Sequence, residues 1–145
     1  MPGRDANLAT PPAPLVALAG WLVPGSGYWL LGQHKRAIVI GLSIIVLFTL
    51  GILVAGVAVV EAPSLGGSGS LLGRVLQKPW FLGQVMTGPI GLICAWIGQG
   101  VGGEYPAAKA RLGEIGTLYT AIAGMLNLLA IIDASHRASL SAARR

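Results

Sequence analysis

Hydrophobic positions along this chain fall into four blocks separated by short polar or Gly/Pro-rich stretches, and the longest block, Ala37 to Val60, sets the frame for the rest. Its 24 residues, AIVIGLSIIVLFTLGILVAGVAVV, carry no charge and only Ser43 and Thr49 as polar side chains. At about 1.5 Å of rise per residue a helix of this length reaches roughly 36 Å, more than a hydrocarbon core of about 30 Å. A soluble core helix of that length would need a wet face, and this block has none. The pattern predicts a membrane-spanning helix. Ala37, Gly41, Ile44, Phe48, Gly51, Ala55 and Ala58 recur at spacings of four and three. They form one mostly small face for helix packing and leave Ile, Leu and Val on the other sides for lipid.

The remaining blocks are less regular. Leu15 to Leu31 is long enough to span, yet Pro24-Gly25-Ser26-Gly27 sits in its middle, where proline removes a backbone donor and glycine loosens the helix. It reads as a kinked span, as a re-entrant or interfacial hairpin, or as a signal peptide with a poor A-x-A site. Trp21, Tyr28 and Trp29 read as interfacial anchors. The third block, near 80–101, starts well at Pro79 and is broken at Gly88-Pro89. Gln84, Gly88, Gly91, Ala95, Gly98 and Gly102 follow the same rhythm in a stripe almost free of bulk and predict a neighbouring helix at close range, while Trp80 and Trp96 lie towards opposite ends and suit the two interfaces. The fourth block, near 115–132, presents Gly116, Thr120, Ala123, Gly124, Asn127 and Ala130 on one face.

The expected architecture is therefore an all-α membrane protein. It is a compact bundle of about four transmembrane helices near 15–31, 37–60, 80–101 and 115–132, the first and third broken by Pro and Gly. Residues 1–14, with Pro2, Pro11, Pro12 and Pro14, read as a disordered tail, 15–134 as the membrane domain and 135–145 as a basic tail. Residues 63–70 read as a flexible Gly/Ser linker, 71–78 as a short interfacial amphipathic piece or a plain loop, and 102–113 as a polar loop.

Composition agrees with this picture. The chain is 54% hydrophobic and 10% charged, against about 25% charged in ordinary soluble domains, which excludes a conventional soluble fold. Its 22 glycines lie mostly inside apolar blocks, where they serve close helix packing better than low complexity. The net charge of +5 comes from Lys and Arg scattered at the ends of blocks, with no basic stripe interleaved with aromatics, so no nucleic-acid partner is expected. The expected partners are the lipid bilayer and, through the small faces, another membrane protein or a second copy of the chain. On four spans, Arg4, Arg74, Lys78, Arg137, Arg144 and Arg145 share the side of the termini, against Lys35, Arg36, Lys109 and Arg111 opposite. That balance places both termini in the cytoplasm.

Candidate chemistry is sparse. Asn127 is an amide in apolar surroundings, where it must find partners, and an interhelical hydrogen bond is favoured over a ligand site. Thr120 and Gln84 join it as polar groups at membrane depth. Glu114 complements the start of its helix, and Asp133 pairs with His136 or Arg137 one turn on. His34 and His136 would lie on opposite sides if blocks two to four all span, so no joint metal site is expected. Cys94 is a lone thiol in an apolar run, and neither Ser43 nor Ser64 has a base in any readable motif. No catalytic residue, cofactor or metal is expected, and no enzyme. The leading reading is a small structural or accessory protein that packs through Gly91, Ala95, Gly98, Gly116 and Gly124. The alternative is a subunit of a transporter or channel that uses the broken helices at Pro24-Gly25 and Gly88-Pro89.

The first half, with its Pro24-Gly25 break, Gly27-Tyr28, Leu31-Gly32 and a basic turn into a long helix, resembles the two-transmembrane-helix domain family. Where that family carries an Asp-Arg-Phe turn, this chain has Gln33-His34-Lys35-Arg36. The whole chain resembles a family of small bacterial integral membrane proteins known only as a domain of unknown function. That resemblance is carried by Gly20-Trp21-Leu22-Val23-Pro24-Gly25, by Leu112-Gly113-Glu114-Ile115-Gly116-Thr117-Leu118-Tyr119-Thr120, and by Asn127-Leu128-Leu129 with Asp133, over roughly Leu15 to Arg137. It implies a multi-pass protein of the bacterial inner membrane and no particular activity.

Overall fold

The structure is a computed structural model that describes residues 11–56, 59–60, 73, 79–100 and 107–144, without the side chains of 99, 100 and 107–110. The expected linker 63–70, the stretch 71–78 apart from Gly73, the first part of the expected loop 102–113 and most of the expected tail 1–14 lie outside the described residues, as does Ala58. Among the described residues the chain is helical, with no strand.

Helix α1 (Ala13–Leu22) begins behind Pro12 and carries Pro14 in its first turn, where a missing N–H costs nothing. It ends because Pro24 has no N–H to continue the ladder and Gly25 adopts φ +87°, a left-handed conformation that a side chain resists. The chain then reverses into α2 (Ser26–Leu30). A Cβ on Gly27 would lie 3.1 Å from the Val16 carbonyl and 3.2 Å from Ala134 Cβ, so α2 runs back along α1. Of the three readings of 15–31, the geometry is that of a helical hairpin.

Helix α3 (His34–Ala55) starts three residues before the apolar block and stops before its end, because Gly56 takes φ +81° and donates its N–H to the Ile52 carbonyl at 2.6 Å. Val59 and Val60 are buried beyond that stop. The third block divides into α4 (Pro79–Val85) and α5 (Pro89–Gly100) around Gly88, whose φ is +95°. A Cβ on Gly91 would collide with the Gln84 carbonyl, a contact that an uninterrupted helix cannot make seven residues apart. Helix α5 therefore folds back beside α4. Trp80 and Trp96, expected at opposite ends, stand on two arms of one hairpin and on the same side of its tip.

Helix α6 (Ala107–Ala143) runs for 37 residues, through both the end of the expected polar loop and the expected basic tail. After Pro106 no proline interrupts it, and Ala is frequent at both of its ends, where propensity favours continued helix. Helices α1, α3 and α4 pack chiefly on α6, and α2 packs on α1 first and on α3 next. Ala37 clusters with Ala134 and Ala138, whereas Gly51 lies against Gly116 and Thr120, so α3 and α6 are antiparallel. The α1–α2 hairpin covers the later half of α6. Gly83 of α4 lies against Ala121 and Gly124 against Gly83, so the α4–α5 hairpin approaches from the other end.

Two helices, His34–Ala55 and Arg111–Ala143 within α6, are long and apolar enough to cross a membrane, with hydropathies of 2.9 and 1.9. The expectation of four crossing helices is not met in that form. The first and third blocks are split into helices of ten, five, seven and twelve residues, short of the roughly 20 that a crossing needs. One consequence overturns the placement of the histidines. With the third block folded back, α6 ends where α3 begins, so His34 and His136 lie at the same end of the molecule.

Candidate functional site

Each proline break removes the helical donor of a carbonyl four residues upstream: Pro24 leaves that of Gly20 without a backbone donor, and Pro89 leaves that of Val85 with only the turn N–H of Gly88, at 3.0 Å. Away from water such a group must find another donor. Side chains supply one to each. Asn127 Nδ2 donates to the Gly20 carbonyl at 3.2 Å and to the Met86 carbonyl at 2.9 Å. Trp21 Nε1 donates to the Val85 carbonyl at 3.2 Å. One amide on α6 thus ties down the tips of both hairpins, and an indole from the first tip reaches the second. The tips also touch directly, since a Cβ on Gly88 would overlap the Trp21 carbonyl.

A second layer lies one to two turns along α6. Gln84 Nε2 donates to the Val59 carbonyl at 3.1 Å and to Thr120 Oγ1 at 2.9 Å. Thr120 Oγ1 lies 3.0 Å from each of the carbonyls of Gly116 and Thr117, to which it donates in turn. Gln84, Thr120 and Asn127 are fully buried, and Thr87, between the two layers, is 1% exposed. Three buried atoms find no partner among the described residues: Gln84 Oε1, Thr87 Oγ1 and Asn127 Oδ1. The junction is therefore rich in bare oxygen acceptors and, among the described residues, holds no ionisable side chain. Beside Asn127 the crevice between Gly20, Gly27 and Ala130 has no room for a water molecule.

At the end where α3 begins and α6 finishes, Asp133 Oδ2 accepts from Tyr28 OH at 2.8 Å and from Arg137 Nε at 2.7 Å. Of the two partners expected for Asp133, His136 and Arg137, the structure selects Arg137. Tyr28, an expected interfacial anchor, instead pins α2 to α6. The expected packing positions divide. Gly116 meets Gly51 and Ala55, Gly124 meets Gly83, and Ala95 is buried in one cluster with Phe48 and Ala123. Gly91 packs against its own hairpin rather than a separate helix, and Gly98 is half-buried. Ser43 Oγ donates to the Val39 carbonyl on an exposed face. Among the described residues no three His, Cys, Asp or Glu side chains group as metal ligands.

The role of Trp21 escapes the sequence, although a signal for it exists: a proline at position i+4 announces a carbonyl at i that has lost its helical donor. What that spacing cannot name is the donor that fills it. Comparison with curated proteins and with solved structures gives no match. The family of unknown function DUF6677 matches residues 15–145, close to the full length over which the hairpins and both long helices are built, and the chain belongs to that family.

Proposed function

We propose that this chain is a multi-pass integral membrane protein with a structural or accessory role, in which α3 and α6 cross the bilayer and the two hairpins dip to its middle from opposite faces. The observation that carries this reading is the inverted pattern of burial. Leu53 is 75% exposed and Leu129 62%, while the buried positions of α6 are all Gly, Ala, Thr or Asn. In water such a surface forfeits about 25 cal/mol for each Å² of apolar area left uncovered, whereas lipid covers it. Broken backbone at membrane depth is tolerated where protein satisfies it, which is what Asn127 and Trp21 do for the two tips. With no base or ionisable group described beside the threonine hydroxyls of the junction, the reading assigns no catalysis and no cofactor. Its partners are the bilayer and, through the outer faces, another membrane protein or a second copy.

Among the described residues Lys35, Arg36, Arg137 and Arg144 gather at one end, against Lys109 and Arg111 at the other. The positive-inside rule favours a cytoplasmic side for the first end, with both termini, and the resemblance to a family of bacterial membrane proteins supports an inner-membrane location. Single cysteines at Gln33 and Ser141 in a Cys94→Ala background test the topology. Both should resist an impermeant reagent in intact cells and label after permeabilisation. Labelling of one and not the other restores four spans and sinks the hairpin reading.

A second reading, transport, is favoured by the three unpartnered oxygens at the hairpin tips, since broken helices with bare acceptors recur at ion sites. Monovalent-cation flux into proteoliposomes separates the two. The accessory reading expects no flux above empty liposomes, and specific flux abolished by Pro24→Leu would establish transport instead.

A further inference from the structure

The end that gathers the basic residues is concave. The turn into α3 and the last part of α6 enclose an open groove of about 670 Å³ lined by Gly32, Gln33, His34, Lys35, Arg36 and Arg137. Its charge is unbalanced. Asp133, the carboxylate beside it, is already taken by Arg137 and Tyr28. Among the described residues Lys35 has no ion-pair partner, and Arg36 hydrogen-bonds only the neutral Gln33 Oε1, at 3.5 Å, while its charge acts on Asp133 from beyond ion-pair contact. The groove also contains the start of α3, which has no acidic residue in its first turn and no side-chain cap from Gln33. Two cations thus sit on the positive end of a 22-residue helix, an arrangement that repels itself until an anion enters.

A second groove, of about 390 Å³, begins at the next residue of α3. It runs between Pro24, Gly25 and Trp29 of the first hairpin and Ile38, Leu42 and Ile45 of α3, and its walls are apolar. The rings of Trp29, on the second groove, and His34, on the first, meet edge-on with their centroids 4.7 Å apart, which makes the two grooves neighbours. A polar anion site beside an apolar trough matches one ligand shape: a charged head on a hydrocarbon tail.

We propose that this end of the molecule holds an anionic phospholipid, its phosphate on the first-turn amides of α3 with Lys35, Arg36 and Arg137, and one acyl chain along the groove between α3 and the first hairpin. The inference rests on the membrane reading above, and it commits to a lipid phosphate rather than a free one.

The test is thermal unfolding of the full chain in neutral detergent, titrated with phosphatidylglycerol, phosphatidylcholine or inorganic phosphate. Phosphatidylglycerol should raise the melting temperature saturably, and the other two should not. Lys35→Gln with Arg36→Gln should weaken the phosphatidylglycerol response about thirty-fold, since each basic residue near an anionic surface contributes about 1 kcal/mol, and should hold or raise the melting temperature in lipid-free detergent, because two cations leave the positive end of α3. Leu42→Trp, which fills the trough from an exposed position, should weaken it as well. Equal responses to the two lipids, or an undiminished response in the double variant, would overturn the site. A full response to inorganic phosphate, or an unaltered response in Leu42→Trp, would overturn the lipid assignment. Membranes of the cells that supply the protein are washed with carbonate before any detergent is added and scored for retention of the chain. A retained chain without the response rejects the lipid site alone, and a chain released by carbonate rejects the membrane reading beneath it.

Discussion

Asn127 is the residue on which most of the interior depends, because its two donors meet two carbonyls that the prolines and the turn have left without helical partners. Cross-helix hydrogen bonds in membranes average only about 0.6 kcal/mol and reach about 1.7, since an unfolded segment usually finds other partners. Here the proline and the turn remove the helical donors that would otherwise take over, so the upper end applies to each bond. Asn127→Leu should therefore destabilise the protein by about 2–3 kcal/mol, read as a lower melting temperature in detergent. Asn127→Asp should be worse at neutral pH, because an ionised carboxylate would face two carbonyl oxygens. A melting temperature equal to that of the native chain in either variant would remove Asn127 from this role. Pro24 and Gly25 make a second contrast. Gly25 has φ +87°, and a Cβ there would collide with the Ala37 carbonyl. Gly25→Ala should therefore lose more than the roughly 1–2 kcal/mol of a left-handed alanine. Pro24→Ala should stay within about 1 kcal/mol, because the carbonyl that Pro24 orphaned already has its donor in Asn127. A Pro24→Ala variant as unstable as Gly25→Ala would mean that the proline, not the glycine, holds the turn.

At the scale of elements, α6 is built inside out. Gly116, Thr120, Gly124 and Asn127 face its neighbours, and Leu118, Met125 and Leu129 face away. Its glycines carry opposite expectations. A methyl group added at Gly113 would meet nothing within 4 Å, so Gly113→Ala should stabilise the helix by about 0.5–1 kcal/mol. At Gly124 a Cβ would overlap the Gly83 carbonyl, so Gly124→Ala must push α4 off α6 and should destabilise by about 1–3 kcal/mol. The pair controls for helix propensity, since the substitution is the same. Melting temperatures that move in the same direction would show that close packing of α4 does not govern stability. The hairpin α4–α5 is held by the same logic within itself: Gly91→Leu should harm it more than Leu92→Gly, because Gly91 touches the Gln84 backbone while Leu92 is 42% exposed.

For the molecule as a whole, the meeting of the two tips makes distant parts of the chain depend on one another. Trp21 and Asn127 stand far apart in the sequence, yet both hold the junction between the hairpins, one through Val85 and the other through Met86. Their removal should not add. Trp21→Phe with Asn127→Leu should destabilise less than the sum of the single variants, by about 0.5–3 kcal/mol, because the first loss already loosens what the second would release. Strict additivity in a double-mutant cycle would mean that the tips are anchored independently. The same joint organisation decides where charge lies. With both hairpins turning back, the Lys35-Arg36 turn and the end of α6 share one side, and the basic groove between them exists only because of that return.

Much of this is legible in the sequence. The uncharged block from Ala37 to Val60 requires an apolar environment, and its small positions mark the face that α3 buries: Ala37, Gly41, Ile44, Phe48 and Gly51 are all buried. Asn127, Thr120 and Gln84 stand out because an amide or hydroxyl inside an apolar run has to find a partner. The breaks at Pro24-Gly25 and Gly88-Pro89 are equally visible, since proline removes a donor wherever it stands. Their direction is not. A missing hydrogen bond permits a kink, a hairpin or a turn alike, and local chemistry is the same in each. Only contacts between segments far apart in the chain, Gly88 on the Trp21 carbonyl and Gly41 under the Pro24 carbonyl, select the reversal. That is why Trp21 and Tyr28 read as surface anchors, and why the pattern alone puts His34 and His136 on opposite sides: burial and sidedness follow from where the chain returns, and the return is decided by tertiary packing alone.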